Sequence, residues 1–143
     1  MKSDSSIKNI CTAAAKRHTI KPINFPLTTL FENDSIKLIS DQVHLLAGEL
    51  LIMQTFMSSS DWTLITTRRI ISSFDRIMQE VVPEKINSWN WGDFKGYVSK
   101  QTSIGELRLA NGSSFRIHIE TGKASMVIIY AVITLVRLSE KQL

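Results

Sequence analysis

Residues 104–120 carry the pattern that most constrains the fold, because it specifies a strand pair and its register. The central Asn111-Gly112 is typical of a two-residue hairpin loop. That loop would place Leu107 opposite Arg116 and mix apolar with charged side chains. A three-residue loop, with its glycine in the left-handed conformation, instead places Leu107 opposite Phe115. The pattern therefore predicts an antiparallel hairpin with a three-residue loop.

In this register the two faces of the hairpin differ in polarity, as in an antiparallel sheet with one buried and one solvated side. The apolar face is formed by Leu107, Leu109, Phe115, Ile117 and Ile119. The polar face is formed by Glu106, Arg108, Arg116, His118 and Glu120. We therefore interpret His118 as a solvated histidine rather than a metal ligand.

Three further strands are predicted upstream of the hairpin. Residues 50–57 form an apolar run that ends at the polar turn 58–61. Residues 62–74 indicate two short strands around Thr67-Arg68, because Trp, Thr, Ile and Phe are common in strands and the turn residues are polar. The chain is therefore expected to be mainly β.

The segments that flank these strands are predicted to be helical, extended or irregular. Short helices are expected at residues 40–47 and just before Pro83, and a further strand near residues 97–101. The first 20 or so residues are polar and basic, which indicates a flexible, solvated arm or a short helix. Prolines in residues 21–30 make that stretch extended or irregular.

Residues 122–143 contain the longest apolar stretch, and about 16 residues between Gly122 and the polar tail are predicted to form a helix. Its apolar residues occupy both sides: Met126, Ile129, Ile133 and Val136 on one, Ile128, Val132 and Leu135 on the other. Such a helix needs cover on more than one side. Residues 20–48, a second copy of the chain and a different protein are the three expected sources of that cover. The stretch is too short for a membrane span, which needs about 20 such residues.

Composition adds few constraints on function. The 143 residues are 43% hydrophobic and 21% charged, which predicts one globular domain with a core of ordinary size. The formal charge of +4 brings nucleic acid or an acidic membrane into consideration, but the basic residues are spread along the chain and favour ordinary solvation. Cys11 is the single cysteine, and no secretory signal is recognised at the N-terminus, so a reducing, cytoplasmic location is expected.

No motif predicts a metal, a cofactor or a catalytic centre. The three histidines are far apart, the glycines are isolated, and Cys11 has no partner cysteine. Paired carboxylates remain an alternative, because such pairs meet through folding. The acids in or near turns are Asp61, Asp75, Glu80, Glu84 and Asp93.

Two features are candidate binding residues. Arg68 and Arg69 lie in the predicted turn, where a doublet can meet a phosphate or a carboxylate, although a solvated turn is the plainer interpretation. Trp89 and Trp91 alternate, so on a strand both point to the same side. If buried they belong to the core, and if exposed they anchor an interface or stack on bases.

The order of these elements resembles that of the bacterial pleckstrin-homology-like domains. The resemblance is carried by Trp62-Thr-Leu-Ile-Thr-Thr-Arg-Arg-Ile-Ile71, by Leu46-Ala-Gly-Glu-Leu50 at the entry to the first strand, and by residues 113–120 followed by the helix. It covers about residues 45–140 and implies a bent antiparallel β-sandwich plugged by its C-terminal helix. We accordingly expect an N-terminal extension over residues 1–44 and the domain itself over 45–143.

The resemblance also implies a non-catalytic binding scaffold. Some eukaryotic relatives bind phosphoinositide headgroups through basic residues at the first strand pair, but the matching loop here, 58–61, has no Lys or Arg. The leading hypothesis is a protein-binding module, such as a bacterial immunity protein that neutralises a toxin. The alternatives are peripheral binding to anionic membranes through Arg68 and Arg69, and an enzyme that uses loop carboxylates.

Overall fold

A computed structural model describes residues 2–19, 25–31, 42–96 and 100–140. The described chain has two helices and eight strands. In order they are α1 (Asp4–Thr19), β1 (Thr28–Leu30), β2 (Leu51–Ser58), β3 (Asp61–Thr66), β4 (Ile70–Phe74), β5 (Ile77–Val81), β6 (Ile86–Asn90), β7 (Thr102–Leu109), β8 (Ser114–Glu120) and α2 (Ser125–Glu140). Short 3₁₀ turns, Pro83–Lys85 and Gly122–Ala124, precede β6 and α2.

The strands form two antiparallel sheets. One has five strands in the order β1-β2-β3-β4-β5, and the other has three in the order β6-β7-β8. The sheets meet through β8, which packs on β2, β3 and β4, and α2 closes the core between them. The mainly β fold with a C-terminal helix is therefore confirmed, as are the strands predicted around Thr67-Arg68.

The β7–β8 hairpin has the predicted register. Leu107 lies opposite Phe115, and Glu106 lies opposite Arg116. The Leu109 N–H donates to the Ser113 carbonyl at 2.9 Å, which leaves three residues in the loop. The last of these is glycine, whose φ of 88° is the left-handed value that the register requires.

The polar face of this hairpin is only partly solvated, so the prediction for His118 was wrong. His118 and Glu120 are each only 4% exposed. The His118 N–H donates to Thr63 Oγ1 at 2.8 Å, its Nε2 lies 2.7 Å from the Ser73 carbonyl oxygen, and its ring stacks on Phe74. The reason is that the end of β8 crosses the five-stranded sheet, which covers the second face as well.

The predicted helix before Pro83 is also wrong, because this stretch forms β5. Asp75 and Arg76 both have positive φ, 51° and 70°, and make a two-residue turn that returns the chain alongside β4. Residues 42–47 contain no helix, and the rest of the short helix predicted at 40–47 lies outside the described residues. Most of the strand predicted near 97–101 also lies outside them, and the next strand begins at Thr102.

The N-terminal segment is a helix packed on α2, not a solvated arm. Its buried residues include Ile7, Cys11, Ala14 and Ala15, a stripe at helical spacing whose mostly small side chains let the two helices approach closely. His18 stacks on Tyr130 with ring centroids 3.4 Å apart. The outer side of α2 is thus covered by α1, which was not among the three expected sources.

The expectation that this stretch is too short to span a membrane was wrong, because residues 122–140 pass that test by length and composition. However, 61% of their most apolar stretch is buried within the fold. The boundary expected between residues 44 and 45 stays a prediction. The residues before it nevertheless supply α1, β1 and part of a second apolar cluster on the outer face of the five-stranded sheet. That cluster consists of Phe31, Val43, Trp62, Leu64 and Ile71.

Candidate binding surface

Arg69, one of the predicted binding residues, is held by carboxylates of its own chain. Its Nε and Nη2 donate to the two oxygens of Glu49 at 2.9 and 3.0 Å. Its Nη1 donates to Glu80 at 2.6 Å, and Nη2 also donates to the His44 carbonyl at 2.8 Å. The guanidinium therefore joins β4, β5 and the segment that precedes β2.

Glu49 is the buried partner in this network, with a side chain 0% exposed. Burial opposes its ionisation, but hydrogen bonds from Arg69, Thr66 and the Leu46 N–H outweigh burial and hold its pKa below the ordinary value. The hydrogen bond with Glu49 in turn raises the pKa of Arg69. This pair is a permanent ionic anchor beneath the surface.

Arg68 has a different partner, the carboxylate of Asp4 at the start of α1. Its Nε and Nη2 donate to the two oxygens of Asp4 at 3.1 and 2.8 Å, and the Thr67 hydroxyl donates to the same carboxylate at 2.6 Å. The hydrogen bond from Arg68 lowers the pKa of Asp4. Both arginines of the doublet are therefore engaged within the chain, which leaves neither positioned as a dedicated anion receptor.

Trp89 and Trp91 lie on the same side, as their alternation predicted. Their rings stack with centroids 5.7 Å apart, and both are half-buried against the main core. Trp89 lies in β6, an edge strand of the smaller sheet, and Trp91 follows directly after it. Their contact with the core gives them a packing role.

Two of the predicted acids line one cleft of about 510 Å³ at the end of the sandwich. Asp61 and Asp93 share it with His118, whose pKa burial lowers. Asp61 accepts hydrogen bonds from the Ser60 hydroxyl and the Asp75 N–H, which lower its pKa. Asp61 is thereby stabilised as an anion, which suits a structural carboxylate better than a proton donor.

Cys11 is fully buried between the helices, where burial raises the pKa of its thiol to about 12. A thiol with so high a pKa is not a nucleophile near neutral pH. No group of three or more His, Cys, Asp or Glu side chains suited to a metal ion occurs within residues 2–19, 25–31, 42–96 and 100–140.

The β5 strand is the most exposed apolar strand of the described chain. Ile77 is 68% exposed and Met78 44% exposed, and Val82 just beyond the strand is 38% exposed. Only Val81 of this strand is buried. An exposed edge strand with large apolar side chains is a typical template for pairing with another chain.

The hydrogen-bonding groups of β5 alternate between its two edges. Phe74 and Ile77 close the two-residue turn, so Ile77, Gln79 and Val81 bond to β4. The N–H and C=O groups of Met78 and Glu80 consequently point away from β4. Among the described residues no strand pairs with that side.

Two grooves flank the open edge, with Arg69 and Glu80 in the wall of both. The first, of about 300 Å³, is lined by Gln42, Val43, His44, Ile71, Met78 and Gln79. The second, of about 570 Å³, is lined by Leu46, Arg68, Val81, Val82, Lys85, Leu109 and Asn111. We call β5, Val82 and these two grooves the β5 surface.

Few sequence signals indicate this surface, because Met, Gln and Glu favour helices as well as surface positions. Its available signal was the spacing of Phe74 and Ile77 around two polar residues, followed by Val81-Val82 and Pro83. That pattern fits a hairpin that ends at a proline.

No family model, no curated protein and no solved structure matches this chain. The resemblance to pleckstrin-homology-like domains therefore stays a prediction.

Proposed function

We propose that this protein is a non-enzymatic module that binds another protein by accepting an extended segment of it along β5. The observation that carries the proposal is the open edge of β5, with exposed Ile77 and Met78 on its two faces. Strand addition of this kind derives affinity from main-chain hydrogen bonds and specificity from pockets for alternate side chains. The β5 surface offers both.

The apolar surface that favours a partner lies at β5, not at α2. The sequence suggested a protein-binding module because one side of the apolar C-terminal helix needed cover. In the structure α1 packs on that side. The exposed apolar side chains on and beside β5 now support it: Leu46, Ile77, Met78 and Val82. A role as an immunity protein is one biological setting in which such a module works.

Met78→Pro tests the proposal at the main chain. Its N–H points away from β4, so proline removes a donor from the open edge without removing a bond within the sheet. Immobilised wild-type protein should recover a specific partner from an extract, identified by mass spectrometry, and Met78→Pro should lose it.

A matched pair of lysine variants controls for general surface effects. Ile77→Lys lies on β5, and Ile104→Lys lies on β7, at another exposed isoleucine away from this edge. Only the first should reduce recovery of the partner. Equal recovery by wild type and Met78→Pro, or no specific protein recovered by the wild type, would refute binding at β5.

The cleft lined by Asp61, Asp93 and His118 favours one alternative, an enzyme that uses loop carboxylates. Proton transfer by such a pair needs one carboxyl group with a raised pKa. Side-chain ¹³C NMR titration measures this directly. A carboxyl group in the cleft that titrates above about pH 6 would support the enzyme, whereas ordinary or lowered values for both would count against it.

A further inference from the structure

We infer that the segment accepted at β5 carries a basic residue flanked, two positions away on each side, by apolar residues. The inference rests on the proposed function, because it specifies the partner of the same edge. It follows from the order of side chains along one face of the strand.

Three residues of the edge share that face. Met78, Glu80 and Val82 alternate with Ile77, Gln79 and Val81, and Val82 keeps an extended backbone with φ −88° and ψ 146°. The face therefore presents an apolar, an acidic and an apolar side chain in succession. A strand that adds to β5 presents every second residue to the same face.

Each apolar residue of this face opens on a groove with further apolar lining. Met78 borders the first groove together with Val43 and Ile71, and Val82 borders the second together with Leu46 and Leu109. Apolar side chains of an added strand would remove these surfaces from water, at a gain of roughly 25 cal/mol per Å² of apolar area. The two outer positions therefore favour apolar residues.

Glu80 sets the chemistry of the middle position. Its side chain is 56% exposed, and Oε2 accepts from Arg69. Arg69 also neutralises the buried Glu49 through two hydrogen bonds, so one guanidinium serves two carboxylates. The Oε1 atom of Glu80 makes no hydrogen bond within the described residues. Two carboxylates that share one guanidinium leave one net negative charge. A Lys or Arg opposite Glu80 would neutralise this charge, and opposite charges in cross-strand pairs are stabilising.

A second copy of this chain fits the edge poorly. Antiparallel pairing of two β5 strands that places Met78 opposite Val82 of the other copy also places Glu80 opposite Glu80. Like charges directly opposite each other in a sheet are destabilising. The charge on the edge thus favours a different chain with a basic centre.

Selection from a displayed library of short random peptides tests the pattern on the intact protein. Wild type should enrich peptides with a basic residue between two apolar residues at alternate positions. Glu80→Gln should still enrich the apolar pair but lose the basic preference. For one selected peptide, replacement of the central Lys by Gln should weaken binding to wild type by about two- to fivefold, the range expected for a cross-strand charge pair.

Glu84→Gln is the matched control, since Glu84 is an exposed acid of the same stretch outside both grooves of the β5 surface. It should leave the basic preference intact. Wild type could instead enrich peptides that Met78→Pro does not bind and that show no preference for a basic residue. That outcome would overturn this inference but would still support the proposed function. Suppose that every peptide enriched by wild type is retained equally well by Met78→Pro, or that wild type enriches none. Either result would refute both this inference and the proposed function. A wild-type dimer by sedimentation that Met78→Pro abolishes would identify a second copy as the occupant and overturn the inference.

Discussion

The two edges of the five-stranded sheet are protected in opposite ways. At β1 the strand is short and its side chains are covered: Thr28 is 0% and Leu30 2% exposed, and the preceding Leu27 N–H donates to the buried Glu120 at 3.1 Å. At β5 the strand is longer, four of its five side chains are exposed, and the main-chain groups of Met78 and Glu80 point outward. Within the described part of the chain, the side chains of one edge strand are mostly covered and those of the other are mostly exposed.

The difference shows what an edge strand needs to stay free of partners. A charged or buried edge resists pairing, and beside β1 the Glu120 side chain accepts the Leu27 N–H while the Phe25 N–H donates to the Thr28 carbonyl. At β5 the single acidic side chain, Glu80, is partly neutralised by Arg69 and stands between apolar residues. An edge of this composition favours pairing with a segment of complementary charge.

The largest expected effect concerns the ionic anchor beneath β5. Arg69→Ala leaves the buried Glu49 carboxylate without its guanidinium, and removing one partner of such a pair costs about 3–5 kcal/mol of unfolding free energy. Urea denaturation measures the loss. Arg68→Ala is the control, since its pair with Asp4 is on the surface and its loss should be much smaller. Equal losses would show that the anchor is no more important than a surface pair.

The two edges themselves are compared by truncating one apolar side chain in each. Leu30→Ala in β1 removes a buried side chain and should cost about 2–5 kcal/mol. Ile77→Ala in β5 removes an exposed one and should change the unfolding free energy by at most about 0.5 kcal/mol. Thermal or urea unfolding of both variants measures the two losses of unfolding free energy. A large loss for Ile77→Ala would mean that β5 is covered within this chain and is not an open edge.

An intermediate effect is expected from pH, through His118 where β8 crosses the sheet. Burial lowers the pKa of His118 in the folded protein, so the unfolded chain takes up a proton first as pH falls. The contribution of neutral His118 to the unfolding free energy should therefore be fully present above about pH 6.5, the pKa of an unperturbed histidine. The unfolding free energy should decrease as the pH falls below that value. The hydrogen bond to the Ser73 carbonyl and the charge of Asp61 partly oppose this shift in the pKa of His118, and Arg116 adds to it.

The pH dependence is measured by comparing unfolding free energies above and below about pH 6.5 for wild type and His118→Gln. The variant should show a weaker dependence on pH between the two conditions. His44→Gln, at an exposed histidine, should behave as the wild type. A wild-type protein that gains stability on acidification would contradict the assignment of a buried, neutral His118.

The smallest effect is an alternation in amide exchange along β5. The Gln79 and Val81 amides donate to β4 and should exchange slowly, whereas those of Met78 and Glu80 face outward and should exchange fast. Residue-resolved hydrogen exchange by NMR detects the pattern. Slow exchange at all four amides in the isolated protein would show that something already pairs with this edge.

Local patterns were sufficient where one register alone separated apolar from charged residues. The β7–β8 hairpin is the clearest case, because Leu107 has an apolar partner in only one of the two loop lengths. The Trp62–Ile71 stretch was similarly informative, because β-branched and aromatic residues surround a polar turn. In both cases the deciding interactions join residues close in sequence.

Residues whose environment depends on distant segments were not predictable in this way. His118 has the polar-face position of a solvated histidine, and only its contact with Thr63 and Ser73 of the other sheet makes it buried. The Arg68-Arg69 doublet likewise gave no sign that its partners are Asp4, Glu49 and Glu80. The half-buried setting of the tryptophan pair also depends on the core beneath it.

The sequence by itself determined the mainly β class, the register of the last hairpin and the C-terminal helix, because each depends on the period of apolar residues along a short segment. Tertiary structure decided which helix covers α2 and which edge of the larger sheet has exposed side chains among the described residues. Those outcomes depend on packing between segments far apart in the chain, where small side chains such as Cys11 and Ala15 carry no conspicuous pattern. The exposure of β5 among the described residues is such an outcome, since it depends on how distant segments pack around the sheet.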